Sequence, residues 1–468
     1  MSTDLNPPAA TSSSSSAVLA SLNEPAVILD GPTPRTLGTW DQLAFWANLG
    51  VSLLGPVTAL YLLHPNDGPK LSLVAAFVAL CVGTVLGTLL VSIVSVPGVD
   101  TGSPAMVLLR GLFGTRLSYL PTVLNLLQCL GWAVFELVVI ASAADQLLPG
   151  HVHWPYVLAA GILSTLMAIR PLGSVRVLRK YVLVAVVVAS VYLFVQMLRH
   201  PLPSLTAGSW SGFWPATDVM IALSVSWVPL AADYTRHCRT VRSAFLGSFI
   251  GYTLTQVAYV ALGLLAFATV VSPDAVDPQT DIFGAFIAVP LGGVAFLILV
   301  ARELDQSFAN VYSTATSAQN VLHRMDRRLL ALGIGTVATL LALIVPISKY
   351  QNFLSLIGSI FVPLAAVLIA DYFLLGGRGR WNVGQDAPMR WIALVPWIVG
   401  IAIYQLVAPS DIGHWASWWH SFGDAIGWHS PSWSSASVVS LAVSLILTLL
   451  LAPWMRRRRP GRVIGSSA

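Results

Sequence analysis

The sequence predicts an all-α polytopic membrane protein with twelve transmembrane helices. Three observations carry that prediction: the composition, the recurrence of apolar runs and the placement of basic residues. Of 468 residues, 56% are hydrophobic and only 10% charged, and the mean hydropathy is +0.76. A soluble domain of this make-up would leave far too much apolar surface in water. Apolar runs of about 20 residues, the length that crosses roughly 30 Å of hydrocarbon as a helix, recur along nearly the whole chain. They cover 40–63, 71–96, 119–148, 154–169, 181–198 and 213–232, then 244–271, 289–317, 329–346, 353–375, 391–407 and 434–454.

Basic residues test this count independently, because Lys and Arg concentrate in cytoplasmic loops. With a cytoplasmic N-terminus, the tails and every second connection should hold them. Arg35 lies in the N-tail, Arg110 and Arg116 between spans 2 and 3, and Arg170, Arg176, Arg179 and Lys180 between spans 4 and 5. Arg236, Arg239 and Arg242 follow span 6, Arg324, Arg327 and Arg328 follow span 8, and Arg378, Arg380 and Arg390 follow span 10. Five more arginines follow span 12, which brings 21 of the 25 basic residues to the cytoplasmic side and leaves Lys70, Arg199, Arg302 and Lys349 outside the pattern. The net charge of +5 is thus explained by topology and does not point to nucleic acid.

The connecting segments carry weaker signals. Residues 1–34, rich in Ser, Pro, Thr and Ala, predict a disordered cytoplasmic tail and lack the basic region and apolar core of a signal peptide. Residues 411–433 are rich in Trp, His and Ser and predict a short interfacial helix on the outer side. His414, His420 and His429 have no metal-ligand spacing, and Cys81, Cys129 and Cys238 suggest neither a disulfide nor a zinc site.

Polar residues inside the spans point to function. Glu136 sits in the apolar run of span 3, one helical turn after Trp132. A carboxylate near the bilayer centre costs roughly 2.5–3.5 kcal/mol on insertion scales, so it needs a partner or a role. Span 1 contains Asn48-Leu49-Gly50 followed by Ser52, Gly55 and Pro56, while span 6 contains Ser224, Ser226 and Pro229. Interruptions in the first helix of each of two five-helix blocks would mark inverted repeats with a midplane site; ordinary proline or glycine kinks are the competing reading. Span 8 carries Arg302, Glu303, Asp305, Gln306 and Asn310 within nine residues, too polar for a lipid-facing helix. At 100° per residue, Glu303, Gln306 and Asn310 share a stripe beside that of Asp305, Phe308, Ala309 and Tyr312. Arg302 and Glu303 read as a self-satisfied polar cluster, with Arg302 pairing Glu303 or another helix's acid, and Asp305 and Asn310 read as functional.

Five motifs in order then resemble the nucleobase:cation symporter family of purine-cytosine permease type: GSPAMVLLRGLFG after span 2, GWAVFE in span 3, SWVPLAADYTRH closing span 6, FANVYSTATSAQN in span 8 and NFLSLIGSIFVPLAAVLIADYFLL in span 10. The similarity runs from Thr36 to Phe373, and within the family the chain most resembles the branch of hydroxymethylpyrimidine and cytosine permeases. The resemblance implies a LeuT-like fold of two inverted five-helix repeats (35–198 and 199–376). Two further helices with the outer Trp/His-rich loop (377–455) and a basic cytoplasmic tail (456–468) would complete it. It implies alternating access driven by a cation, Na⁺ or H⁺, with no cofactor, in a multi-pass cell-membrane protein that works as a monomer without an obligate protein partner.

Residue by residue, the resemblance places a ring-stacking tryptophan at Trp132, a hydrogen-bonding group at Glu136 and a substrate-contacting asparagine at Asn310. It implies a second face of the substrate site from Ser224, Ser226 and Trp227, with Asn48 reaching it from span 1; relatives carry an aromatic ring where this chain has Ser224. The resemblance implies an ion site formed by Asp305, Asn48, Leu49 and Ala301. Where sodium-coupled relatives carry small hydroxyl residues, this chain has Leu304 and Asp305, so Asp305 either binds Na⁺ as an oxygen ligand or carries a proton.

The chemistry favours an aminopyrimidine. A protonated Glu136 donates to the ring nitrogen and accepts from the exocyclic amine, a two-point match that an ionised carboxylate cannot make. Uracil, with a carbonyl in place of the amine, would leave a buried acceptor unpaired at a cost of roughly 1–3 kcal/mol. Hydroxymethylpyrimidine is the first expectation and cytosine the second; another heterocycle such as a purine, hydantoin or allantoin is the alternative. An enzyme is disfavoured because no HExxH, GxSxG or paired-histidine spacing occurs. A ligand-sensing receptor or a channel could share a polar interior, although filter-like glycine repeats are absent.

Overall fold

The computed structural model describes residues 33, 35–65, 70–148, 152–169, 175–271, 278–319, 325–431 and 433–456. The N-tail expected over 1–34 and the basic tail after Arg456 lie almost wholly outside these residues, as do Arg170 and Arg324 of the connecting loops.

Each predicted span is helical. Span 1 is two helices, α1 (Thr39–Leu49) and α2 (Leu54–Leu63), bent by 66° at the break. The bend follows from the sequence. Asn48 and Gly50 end the first half, while Pro56 falls in the first turn of the second, where its missing N–H costs no hydrogen bond. Gly50 also allows close passage of span 7, since a Cβ there would meet Thr255 Oγ1 at 2.1 Å. Span 2 is α3 (Leu73–Thr101), capped by Ser72 and closed by Gly102 in the left-handed conformation (φ 69°). A short helix, α4 (Ala105–Phe113), precedes α5 (Tyr119–Leu147), α6 (His153–Ile169) and α7 (Val175–Leu198).

Span 6 is broken as well. Helix α8 (Phe213–Val225) ends in irregular turns through Pro229, and α9 (Ala231–Thr235) follows. Then come α10 (Val241–Thr269), a short α11 (Pro278–Ala288), α12 (Gly292–Gln319), α13 (Arg327–Ala342), α14 (Tyr350–Ile369) and α15 (Leu394–Val407). The interfacial helix expected between spans 11 and 12 is α16 (Trp415–Ala425), and α17 (Ala436–Leu450) and α18 (Ala452–Arg456) end the described chain. Among the described residues no strand forms, only isolated bridges at Leu37 with Cys238 and Leu71 with Ser209.

Among the described residues, four helical segments can cross a bilayer unaided by length and composition: α3, α5, α10 and 347–374 around α14, with the bent α1–α2 pair as a fifth. Helix α12 has the length but not the apolarity, as its charges predict; it packs against α5, α6 and α7 inside the bundle. Two large cores, one centred on α2, α5 and α12 and one on α4, α8 and α14, meet around the broken helices.

Candidate functional site

The two interruptions face a narrow cavity of about 40 Å³ lined by Leu49, Gly50, Ser52, Leu54 and Gly55 of span 1 and Leu223, Ser226, Trp227 and Leu230 of span 6. Trp132 and Glu136 enter from α5, Gln306 and Asn310 from α12, Tyr252, Gln256, Tyr259 and Val260 from α10, and Tyr350 from α14. At about 10–15 Å³ per water centre, this volume holds roughly three waters, so a heterocycle must part these side chains to enter.

Polar contacts explain why the cavity sits here. Asn310 donates through Nδ2 to Glu136 Oε1 at 2.7 Å, joining α12 to α5. Glu136 is 1% exposed, and its other oxygen, Oε2, is buried without a hydrogen-bond partner, as is Gln306 Oε1. An unpaired carboxyl oxygen and an unpaired amide oxygen beside a cavity are groups that a hydrogen-bonding ligand could satisfy. Aromatic rings close the remaining sides. Trp132 meets Tyr350 and Phe353 edge-on at centroid distances of 5.9 and 5.3 Å, and Trp227 meets Trp46 and Tyr252 at 6.0 and 6.1 Å. Edge-to-face contact is a preferred geometry for aromatic pairs and packs these walls together.

Of the substrate residues expected from sequence, Trp132, Glu136, Asn310, Ser226 and Trp227 line this cavity together. Ser224 does not. Its hydroxyl donates to Met220 O at 3.0 Å and bonds with the Gln256 amide, because α3 approaches closely there: a Cβ on Gly87 would lie 2.6 Å from Ser224 Cβ. Asn48 does not reach the cavity either; both its oxygens accept from Arg302. Gln256, Tyr252, Tyr259 and Tyr350 also line the cavity without being marked by any sequence pattern. Isolated tyrosines and one glutamine on long apolar helices give no signal in sequence until the helices are placed.

The expected ion ligands do not converge on one point. Arg302 donates from Nη2 to Asn48 O at 2.9 Å and from Nε to Asn48 Oδ1 at 3.2 Å, and its Nη1 lies 3.6 Å from Asp305 Oδ2. Leu49 O receives Gln306 Nε2 at a long 3.4 Å, and Ala301 lies on the exposed side of α12. The expected Arg302–Glu303 pair is also replaced: Glu303 accepts from Ser52 Oγ at 2.8 Å and from Leu53 N at 3.0 Å. Each charge has found a half-helix end of opposite sign, a choice that only the break in span 1 offers.

Charged groups away from the cavity tie the bundle together. Asp371 pairs with Arg390 (Oδ1 to Nη2, 2.8 Å) and accepts from Trp381 Nε1 at 2.7 Å, while Arg390 Nη1 also donates to Gly111 O at 2.6 Å. Asp233 Oδ1 accepts from Ala105 N at 2.8 Å, and so holds the first turn of α4. Asp218 accepts from Ala436 N and Ser437 N at the start of α17, binding the last span to span 6.

A membrane-embedded helical bundle with two interrupted helices around a polar and aromatic cavity is the architecture of a secondary transporter. This chain belongs to the family described as permease for cytosine/purines, uracil, thiamine, allantoin, whose model matches residues 33–420. The cytosine permease of Escherichia coli (strain K12) is 23% identical over 359 residues, 74% of this chain and 80% of that protein. The hydantoin permease of Microbacterium maritypicum is 22% identical over 407 residues, 79% and 81% of the two chains. The inward-facing structure of Mhp1 superposes with a TM-score of 0.72 at 16% identity, over 94% of this chain and 96% of that one. Mhp1 closed around bromovinylhydantoin, a nucleobase-cation-symport-1 transporter, gives 0.69 at 16% identity, over 95% and 98%. These superpositions establish the LeuT-like fold.

Proposed function

We propose that this chain imports an aminopyrimidine, hydroxymethylpyrimidine or cytosine, by cation-coupled alternating access across the cell membrane. In this reading residues 35–198 and 199–376 are the two inverted repeats, and 377–455 hold the last two spans. The basic loops support placing both termini in the cytoplasm. Trp132 stacks on the ring, and Asn310 and Trp227 complete the pocket.

One observation carries the substrate class: Asn310 occupies Glu136 Oε1 and leaves Oε2 free beside the cavity. A proton on Oε2 is directed to a ring nitrogen, while Oε1, with a second lone pair, accepts from the neighbouring exocyclic amine. Uracil offers a carbonyl at that amine position and meets lone pair with lone pair.

The test is uptake of labelled cytosine and hydroxymethylpyrimidine in cells lacking their own permeases, with unlabelled heterocycles as competitors. Uracil should compete about ten- to a hundredfold less well than cytosine, the discrimination that one unpaired buried polar group gives. Equal competition by uracil refutes the role assigned to Glu136.

A further inference from the structure

The break in span 1 presents two helix ends to α12. The last carbonyls of α1 carry partial negative charge, and the first amides of α2 partial positive charge. Consecutive residues of α12 answer both: Arg302 donates to Asn48 O and Oδ1, and Glu303 accepts from Ser52 Oγ and Leu53 N. Arg302 is 4% exposed and Glu303 1%, so neither charge is left to water.

A hard cation held at this place would need several oxygens turned toward one point. The oxygens of Asn48 and Leu49 already face N–H groups, and Asp305 lies beside the guanidinium. Asn48 O and Oδ1 face the guanidinium, Asp305 Oδ2 lies 3.6 Å from Nη1, and Leu49 O faces Gln306. Sodium would have to displace a covalently tethered cation from the same carbonyl and would be repelled by it.

We propose that Arg302 permanently fills the position between the end of α1 and α12 that an alkali cation would take, so that this transporter neither binds nor requires Na⁺. Of the two coupling ions left open by the sequence, the proton is the one that needs no oxygen cage. The inference rests on the transporter reading for its uptake arm alone; ion binding is measured without substrate.

Purified full-length protein in detergent is unfolded thermally in matched NaCl and choline chloride series. The unsubstituted protein should show the same midpoint in both; a saturable rise specific to Na⁺, the signature of a ligand that binds the native state, overturns the proposal. Arg302→Ala removes the donor from Asn48 O and Asn48 Oδ1, and should acquire a saturable Na⁺-dependent rise. A folded Arg302→Ala protein indifferent to Na⁺ also overturns it, because the guanidinium would then not be holding a cation position. If that variant does not fold, the unsubstituted protein still decides. In uptake, replacing Na⁺ by choline should leave the initial rate unchanged, whereas a loss of about fivefold or more, the lower end of ordinary coupling strength, refutes it. Absence of any uptake bears on the proposed substrate and leaves the unfolding result standing.

Discussion

At the residue scale, Glu136 is held by one hydrogen bond and aimed by it. Glu136→Gln keeps an acceptor and a donor at this place, whereas Glu136→Ala leaves Asn310 Nδ2 without its partner and removes both contacts to the ligand. Uptake efficiency should therefore fall about ten- to a hundredfold for alanine and distinctly less for glutamine, measured as initial rates at matched expression. Cys238 behaves differently. It lies outside the spans, is fully buried, and burial pushes its thiol up to about 11, against a downward pull from the Ser243 hydroxyl. The reactive form is the thiolate, so N-ethylmaleimide at neutral pH should modify Cys238 only after unfolding, as mass spectrometry would show. Sequence alone drew attention to Trp132, Glu136 and Asn310 because a buried carboxylate and a polar stripe break an apolar pattern. Ser224 and Arg302 were misjudged for a shared reason: the first is absorbed by the close approach of α3, the second by the end of α1. Gly87, which crowds Ser224, and Asn48, which takes Arg302, both lie more than 100 positions away in the chain.

At the element scale, span 1 is seated on α10 along one row of small and aromatic residues spaced four apart. A Cβ on Gly247 would meet Gln42 at 2.4 Å, and one on Gly251 would meet Leu43 O at 2.5 Å; Thr255 packs on Gly50, and Tyr259 on Gly55. Gly263 completes the row against Pro56 O at 2.3 Å. Small residues at this spacing let helix backbones approach in a membrane, where packing replaces the hydrophobic effect as the driving force. Gly251→Ala should therefore cost roughly 1–3 kcal/mol through overpacking and lower the unfolding midpoint. Gly333→Ala in α13, where nothing lies within 4 Å of the added carbon, should be neutral or stabilising by up to about 1 kcal/mol from helix propensity. The helices were legible from apolar length and the breaks from Gly, Pro and Ser. The seam was not, because a row of glycines on one helix does not say which neighbour it meets.

At the scale of the whole molecule, the alternation of basic loops is what predicts the arrangement of spans, since electrostatics acts on each connection separately. The ties between distant loops were hidden, because they depend on folding. Asp371 and Arg390 are 0% and 7% exposed in their side chains. Arg390→Ala takes the cation away from a buried carboxylate to which Trp381 also donates, and should cost about 3–5 kcal/mol, read as a large fall in the unfolding midpoint. Lys349 and Asp411, 3.7 Å apart with 57% and 70% of their side chains exposed, form a contrast: Lys349→Ala should change stability by about 0–1 kcal/mol. The contacts of Arg302 and Glu303 have a mechanical consequence as well. They fasten both arms of the 66° bend to one continuous helix, which makes the interruption a braced elbow. The angle between α1 and α2 cannot change until one of those bonds breaks. In the proposed transport cycle, opening toward either side of the membrane therefore starts with both arms and α12 moving as one body, and the sliding surfaces are the faces on which that body rests.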